Sequence, residues 1–331
     1  MSAGPAAMKA LVLIGGFGTR LRPVTYTVPK QLIPIAGKPM LYHVLDLLPP
    51  DLEEAVLATG YKSEEIAQFV AAHPPRFPVR CVPEAQPLGT GGGMKNAGDA
   101  MSDPFIQMNS DVIAAIDVGA VLAAHAAKGG IGTMTLAQVD DTSPYGVAAL
   151  DPDDRITRFV EKPKPEAAPS HWINAGLSVW RRSVLDAIPA GRAVSFEAEV
   201  MPPLLAAGIF GFRLGGFWED AGTPERLLHA QRLLFDAGRG GKGTLPPGAM
   251  GHGPVALGRG ATARGATFGP YVTLSEGVTV EPGAHVENSV VMAGATIGKE
   301  AYVSGSIVGP LARVAAGHRL TQAIIGEGAD A

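Results

Sequence analysis

Up to about residue 235 the chain alternates between two apolar patterns. Short continuous apolar runs are followed by longer stretches in which apolar residues recur every three to four positions. The runs predict strands at 9–14, 54–59, 79–83, 104–108, 132–139 and 209–213, because a brief unbroken apolar run between turn residues suits a strand buried on both faces. The longer stretches predict helices at 39–48, 63–72, 92–100, 117–127, 198–207 and 224–236. This alternation predicts an α/β fold: a Rossmann-like, doubly wound, mostly parallel sheet with helices on both faces. In such sheets ligands bind beyond the carboxyl ends of the strands.

The pattern changes near residue 240. Residues 238–254 are crowded with glycine and proline and read as a linker. Beyond them, residues 255–325 carry a six-residue period. Val272, Val278, Ala284, Val290, Thr296, Tyr302, Val308, Val314 and Leu320 fall on one phase, with Gly277 and Gly283 at turns. One small or aliphatic inward residue per short repeat predicts stacked parallel coils. The expected domains are therefore 1–240 and 241–331.

Composition narrows the function classes. The 331 residues are 46% hydrophobic and 18% charged, as in a globular protein with a sizeable core. A net charge of −4 gives no footprint for nucleic acid. No apolar run reaches the length of a membrane span. The lone cysteine, Cys81, excludes a disulfide framework, reads as a core residue and points to a reducing, cytoplasmic compartment. Residues 1–7 lack the features of a signal peptide, and Met8 is a candidate older start.

The chemistry begins just after the first predicted strand, at Leu13-Ile14-Gly15-Gly16-Phe17-Gly18-Thr19-Arg20-Leu21-Arg22-Pro23, with Pro29-Lys30 further on. Glycines let a backbone approach a ligand closely, and fixed cations behind bare N–H groups suit a polyphosphate. The loop is not a dinucleotide fingerprint, since the sixth position counted from Gly16 is Leu21. It is not a P-loop either, since no Gly-Lys-Ser/Thr closes it. Two aspartates stand out, one just past a predicted strand and one just before a predicted helix start. Asp111 ends Asn109-Ser110-Asp111, and Asp220 lies in Trp218-Glu219-Asp220-Ala221-Gly222-Thr223-Pro224. Alone, each reads as turn chemistry; each is also a hard-oxygen ligand for Mg²⁺.

Together these segments resemble the sugar-1-phosphate nucleotidylyltransferases. The glycine string resembles that family's signature, and the two aspartate segments resemble its metal-binding motifs. Glu84-Ala85-Gln86-Pro87-Leu88-Gly89-Thr90 resembles its nucleobase loop. Phe159-Val160-Glu161-Lys162-Pro163, Asn174-Ala175-Gly176 and Tyr145-Gly146 resemble its sugar-phosphate motifs. The tail resembles a left-handed β-helix of hexapeptide repeats, an assembly module that implies a homo-oligomer. Its histidines His252, His285 and His318 also leave an acyltransferase reading open.

The resemblance implies transfer of a nucleotidyl group from an NTP to a sugar 1-phosphate, with Mg²⁺ as cofactor. Arg20, Lys30, Asp111 and Asp220 would be catalytic, with both aspartates on the metal. Leu13, Gly15, Gly16, Gly18, Thr19, Glu84, Gly89 and Thr90 would hold the nucleotide. Tyr145, Gly146, Glu161, Lys162 and Asn174 would hold the sugar phosphate. Ile14 and Phe17 resemble the guanylyl-transferring branch, which favours GTP and mannose 1-phosphate. Gln31 resembles the thymidylyl-transferring one, which leaves glucose-1-phosphate thymidylyl transfer open. A regulatory, non-catalytic subunit is a third reading, opposed by the presence of all four catalytic positions.

Overall fold

The structure, a computed structural model, describes residues 8–241 and 243–331. The expectations for residues 1–7 lie outside the described residues. The chain divides into two compact units. One runs to Gly16 and resumes over Val44–Trp218; the other combines Phe17–His43 with Glu219–Ala331.

The first unit is built on a sheet of nine strands among the described residues. Ala10, Leu11, Val12 and Ile14 are buried in the strand Lys9–Ile14. It pairs in parallel with Glu54–Thr59 on one side and Phe105–Asn109 on the other. Glu54–Thr59 pairs in parallel with Val79–Pro83. These four parallel strands end on one edge. There Thr59 accepts from the N–H of Glu84 at 2.8 Å and Leu13 accepts from the N–H of Ser110 at 3.2 Å.

The other half of the sheet is mixed. The nine-residue strand Trp172–Trp180 runs antiparallel to Phe105–Asn109, Gly132–Gln138 and Gly146–Leu150. Gly146–Leu150 pairs antiparallel with Ile156–Glu161, and Ile209–Arg213 pairs in parallel with Gly132–Gln138. The apolar runs did not predict Gly146–Leu150, Ile156–Glu161 or Trp172–Trp180 as strands. Ile156–Glu161 buries only Ile156 and Phe159, and Trp172–Trp180 has Asn174 and Gly176 inside it, so neither gives a clean strand pattern.

Helices form at Ser63–Ala72, Gly89–Ala97, Val118–Lys128 and Pro224–Asp236. Over 39–48 only Met40–Leu45 is α-helical. Over 198–207 the chain is not one helix. A π turn at Phe196–Val200 leads into Met201–Leu204 and a 3₁₀ turn at Leu205–Ala207. Pro202 and Pro203 lack the N–H groups a continuous helix would need. Cys81 lies half-buried in Val79–Pro83 rather than in the core, and burial pushes its thiol pKa up. No described helix is long and apolar enough to cross a membrane.

The second unit carries a parallel β-helix. Among the described residues its short strands stack into three sheets, two of five strands and one of three. Val255 pairs with Val272 and Val272 with Ser289, so the coil repeats every seventeen residues there. The corners are left-handed. Tyr271, Asn288, Gly305 and Gln322 have φ of 62°, 42°, 59° and 49°, and Gly277, Gly294, Leu311 and Gly328 have φ of 67°, 68°, 58° and 64°. A seventeen-residue coil is one short of three hexads, so a strict six-residue phase drifts. Thr296 and Tyr302, expected inside, are only half-buried. Their neighbours Ala295, Ile297, Ala301 and Val303 fill the interior instead.

One face of these coils is covered by Pro224–Asp236. The buried Gln231 donates to the carbonyls of Tyr271 at 2.8 Å and Ser289 at 3.4 Å, and accepts from the Thr273 hydroxyl at 2.6 Å. It also accepts from the N–H of Ala36 at 3.2 Å. One amide thus saturates its bonding capacity with three backbone groups and one hydroxyl, which ties this helix and the 17–43 segment to the coils.

Candidate functional site

The first unit gathers one set of the expected residues at the carboxyl edge of its parallel strands. Leu13 is the penultimate residue of the central strand, and beyond its end Gly16 has φ of 86°, a conformation that favours glycine. Glu84 begins the loop after Val79–Pro83. One oxygen of its carboxylate accepts from the N–H of Leu88 at 3.1 Å, just ahead of the helix Gly89–Ala97. The other oxygen faces Gly93, where a Cβ would come within 2.6 Å of it. A carboxylate suits this place, because the first turn of a helix has unpaired N–H groups and positive potential. Gly89 has φ of 70°, and a Cβ there would lie 2.6 Å from the carbonyl oxygen of Val194. Asp111 is half-buried in the turn between Phe105–Asn109 and Val112–Ala114.

The sugar-phosphate candidates converge in the same unit. Antiparallel register sets Glu161 opposite Gly146. A Cβ at Gly146 would meet the Glu161 carboxylate at 2.7 Å, so glycine makes room for that side chain. Lys162, at φ of 45°, turns the chain so that its N–H donates to the Tyr145 carbonyl at 3.0 Å. Its ammonium lies 3.7 Å from the Glu161 carboxylate. Asn174 accepts from the N–H of Gly176 at 2.9 Å, and Trp218 Nε1 donates to the Ala175 carbonyl at 3.0 Å. The Trp218 ring then meets Tyr145 edge-on at 5.1 Å. The Glu161 carboxyl pKa is raised, first by burial and then by the charge of Glu197, with Lys162 opposing.

The second unit holds the rest. Gly18 has φ of 60°, and a Cβ there would lie 2.9 Å from the Thr25 methyl. Its carbonyl accepts from the Thr25 hydroxyl at 2.8 Å and from the N–H of Leu21 at 2.9 Å. The Leu21 bond closes the 3₁₀ turn Thr19–Leu21, which leaves Thr19 and Arg20 exposed. Lys30 is buried, with its Cβ 3.4 Å from where a Gly18 Cβ would stand. Asp220 ends the strand Trp218–Asp220. Thr223 caps the next helix by accepting from the N–H of Arg226 at 3.3 Å, and Pro224 occupies the first turn. Arg226 Nη1 lies 3.6 Å from the Asp220 carboxylate.

Among the described residues, no three or more His, Cys, Asp and Glu side chains form a group that could hold a metal. Asp111 and Asp220 each offer a hard carboxylate oxygen of the kind Mg²⁺ takes alongside waters and phosphate oxygens.

The sequence reading did not single out Glu197, Gly222 or Arg226. Arg226 is the third residue of a helix whose cap was recognised, so a cation beside Asp220 was within reach of that local pattern. Glu197 bonds to Thr90, 107 positions away in the chain, and no local pattern reports such a contact.

Residues 9–236 match the family described as Nucleotidyl transferase, and residues 252–331 match the GMPPB C-terminal domain. The chain is 37% identical over 317 residues to the probable mannose-1-phosphate guanylyltransferase 1 of Oryza sativa subsp. japonica, covering 91% of this chain and 86% of that one. It is 37% identical over 298 residues to the mannose-1-phosphate guanylyltransferase of Mycobacterium tuberculosis, with 84% and 82% covered. HddC from Yersinia pseudotuberculosis, solved in complex with GMP-PN, is 28% identical with a TM-score of 0.58, over 68% of this chain and 98% of that one.

Proposed function

This chain belongs to the nucleotidyl transferase family, and on that premise we propose that it transfers the guanylyl group of GTP to mannose 1-phosphate, forming GDP-mannose and pyrophosphate. The observation that carries this reading is the 37% identity, over 91% of the chain, to a relative named for that reaction. The relative that binds GMP-PN supports a guanine nucleotide.

A phosphate oxygen of the sugar phosphate attacks the α-phosphorus, and pyrophosphate leaves in line. Such a reaction needs positioning and charge neutralisation rather than a covalent enzyme intermediate. Lys162 holds the sugar phosphate, and Glu161, Tyr145, Gly146 and Asn174 line the sugar. Arg20 grips the triphosphate through its planar pair of donors, and Lys30 offsets developing negative charge. The 15–19 loop, Leu13, Gly89 and Thr90 cradle the nucleotide. Glu84 accepts from the guanine N1–H and N2 amine, which an acceptor-only carboxylate suits. Asp111 and Asp220 would hold Mg²⁺. When bound, the ion neutralises phosphate charge. The β-helix supports assembly into a homo-oligomer, and the reaction belongs in the cytoplasm.

A pyrophosphate-release screen of all common NTPs against several sugar 1-phosphates tests the reading. GTP with mannose 1-phosphate should give the highest kcat/KM. A different best pair would overturn the assignment.

A further inference from the structure

We propose that Glu197 is a positioning residue that joins the nucleotide loop to the sugar-phosphate pocket. The proposal rests on the site reading above, in which Thr90 serves the nucleotide and Glu161 the sugar. It goes beyond that reading by naming the group that makes the two subsites act together.

The geometry starts at Thr90, in the first turn of Gly89–Ala97. Its hydroxyl donates to the Glu197 carboxylate at 2.5 Å and accepts from the N–H of Phe196 at 2.9 Å. Both of its partners lie in the turn Phe196–Val200, so the hydroxyl is held from two sides by one element. The residues just before this turn hold the same helix start. The Val194 carbonyl accepts from the N–H of Gly91 at 2.9 Å. The turn itself is anchored: Ser195 Oγ accepts from the N–H of Ala198 at 3.2 Å, and the Glu199 carboxylate bonds the Ser195 N–H and the Arg192 guanidinium, each at 2.9 Å.

The same turn packs against the strand Ile156–Glu161 as well as against Gly89–Ala97. The charged groups that bear on Glu161 are Glu197 and Lys162, and they act in opposite directions. Glu197 therefore has two measurable duties. Its oxygen fixes Thr90, and its charge makes Glu161 less acidic than Lys162 alone would leave it. A charge-assisted hydrogen bond of this kind is stronger than a neutral one, so its loss should be felt in binding.

The two duties separate by substitution. Glu197→Gln keeps an acceptor for Thr90 and removes the charge; Glu197→Ala removes both. KM for each substrate and the pH profile of kcat/KM for the sugar 1-phosphate would be measured for both variants, alongside Thr90→Val, Glu161→Gln and Thr90→Val/Glu197→Ala. Glu197→Ala should raise both KM values roughly tenfold, with kcat changed less than about threefold. Glu197→Gln should leave the nucleotide KM within about threefold and move the acidic limb of the profile to lower pH, because removing a neighbouring negative charge lowers a carboxyl pKa. The double variant should raise the nucleotide KM no further than Glu197→Ala does. If Glu161→Gln raises the sugar-phosphate KM while Glu197→Ala leaves both KM values unchanged, the proposal is wrong and the site reading stands. If Glu161→Gln leaves that KM unchanged, the site reading falls and takes the proposal with it. Should Glu197→Ala not fold, Glu197→Gln decides: an unmoved acidic limb overturns the coupling.

Discussion

Gly222 leaves the space that the Arg20 guanidinium occupies: a Cβ at position 222 would stand 2.5 Å from Arg20 Nη2 and 3.0 Å from Asp220 Oδ1. Gly222 is not among the residues with positive φ, so its requirement for glycine is one of space rather than of backbone conformation. The smallest added side chain must therefore push the guanidinium away. Gly222→Ala should raise the KM for the nucleotide and lower kcat/KM about tenfold or more, while thermal stability falls by no more than about 1–3 kcal/mol, as for overpacking. Steady-state kinetics of Gly222→Ala, Arg20→Ala and the double variant check this. The double variant should be little worse than Arg20→Ala, since the tighter of the two clashes is with the arginine.

The metal assignment gives a second prediction. Asp111→Asn should lower turnover by about 10²-fold or more at saturating Mg²⁺, comparable to removing one preorganised electrostatic group. Asp220→Asn should do likewise. Near wild-type turnover in either variant would remove that residue from the metal site.

Much of this arrangement was legible in the sequence, for physical reasons that differ by region. The strand Lys9–Ile14 is buried on both faces, so its unbroken apolar run announced both the strand and the loop that follows. Thr223 and Pro224 marked a helix start through cap chemistry, which is local. Trp172–Trp180 was not legible, because Asn174 and Gly176 interrupt its apolar pattern, the Asn174 side chain turning back to accept from the Gly176 N–H. The drift at Thr296 and Tyr302 follows from a seventeen-residue coil, whose length is set by the corners rather than by the inward positions. The Thr90–Glu197 bond was hidden because it joins distant segments.

A third prediction concerns pH and stability. His125 is 4% exposed; its Nδ1 lies 3.1 Å from the Thr133 hydroxyl, and its Nε2 is buried without a hydrogen-bond partner. Burial lowers its pKa below the usual 6.5, the charge of Arg181 lowers it further, and Asp103 opposes. Below about pH 6.5 the unfolded chain therefore takes up a proton that the folded chain resists, and stability falls as the pH drops. His125→Gln, which cannot titrate, should lose less stability than wild type between pH 7.5 and pH 5.5, roughly one unit to either side of that value. Denaturation curves at the two pH values measure the difference. Equal losses would show that His125 does not contribute.

The coil corners give a fourth. Leu311 holds φ of 58° at a corner where its stacked counterparts are Gly277, Gly294 and Gly328, and its side chain is 59% exposed. A left-handed conformation costs a non-glycine residue about 1–2 kcal/mol, and a β-branched residue tolerates it worst. Leu311→Val should lower the melting temperature by a few degrees, whereas Leu311→Gly should hold or raise it. The reverse order would mean that contacts of the leucine outweigh its backbone strain.

The central claim is guanylyl transfer, and an internal competition measures it most directly. Equal concentrations of GTP, UTP and dTTP would be given to the enzyme with mannose 1-phosphate and Mg²⁺, and the sugar nucleotides formed would be weighed by mass spectrometry. On the proposed reading, the Glu84 carboxylate would pair well with the two neighbouring donors of guanine and poorly with O4 of a pyrimidine, a difference of about 1–3 kcal/mol. GDP-mannose should therefore exceed the uridine and thymidine products about tenfold or more, and Glu84→Gln should shrink that ratio. A mixture dominated by UDP- or dTDP-mannose in the wild type would contradict the account.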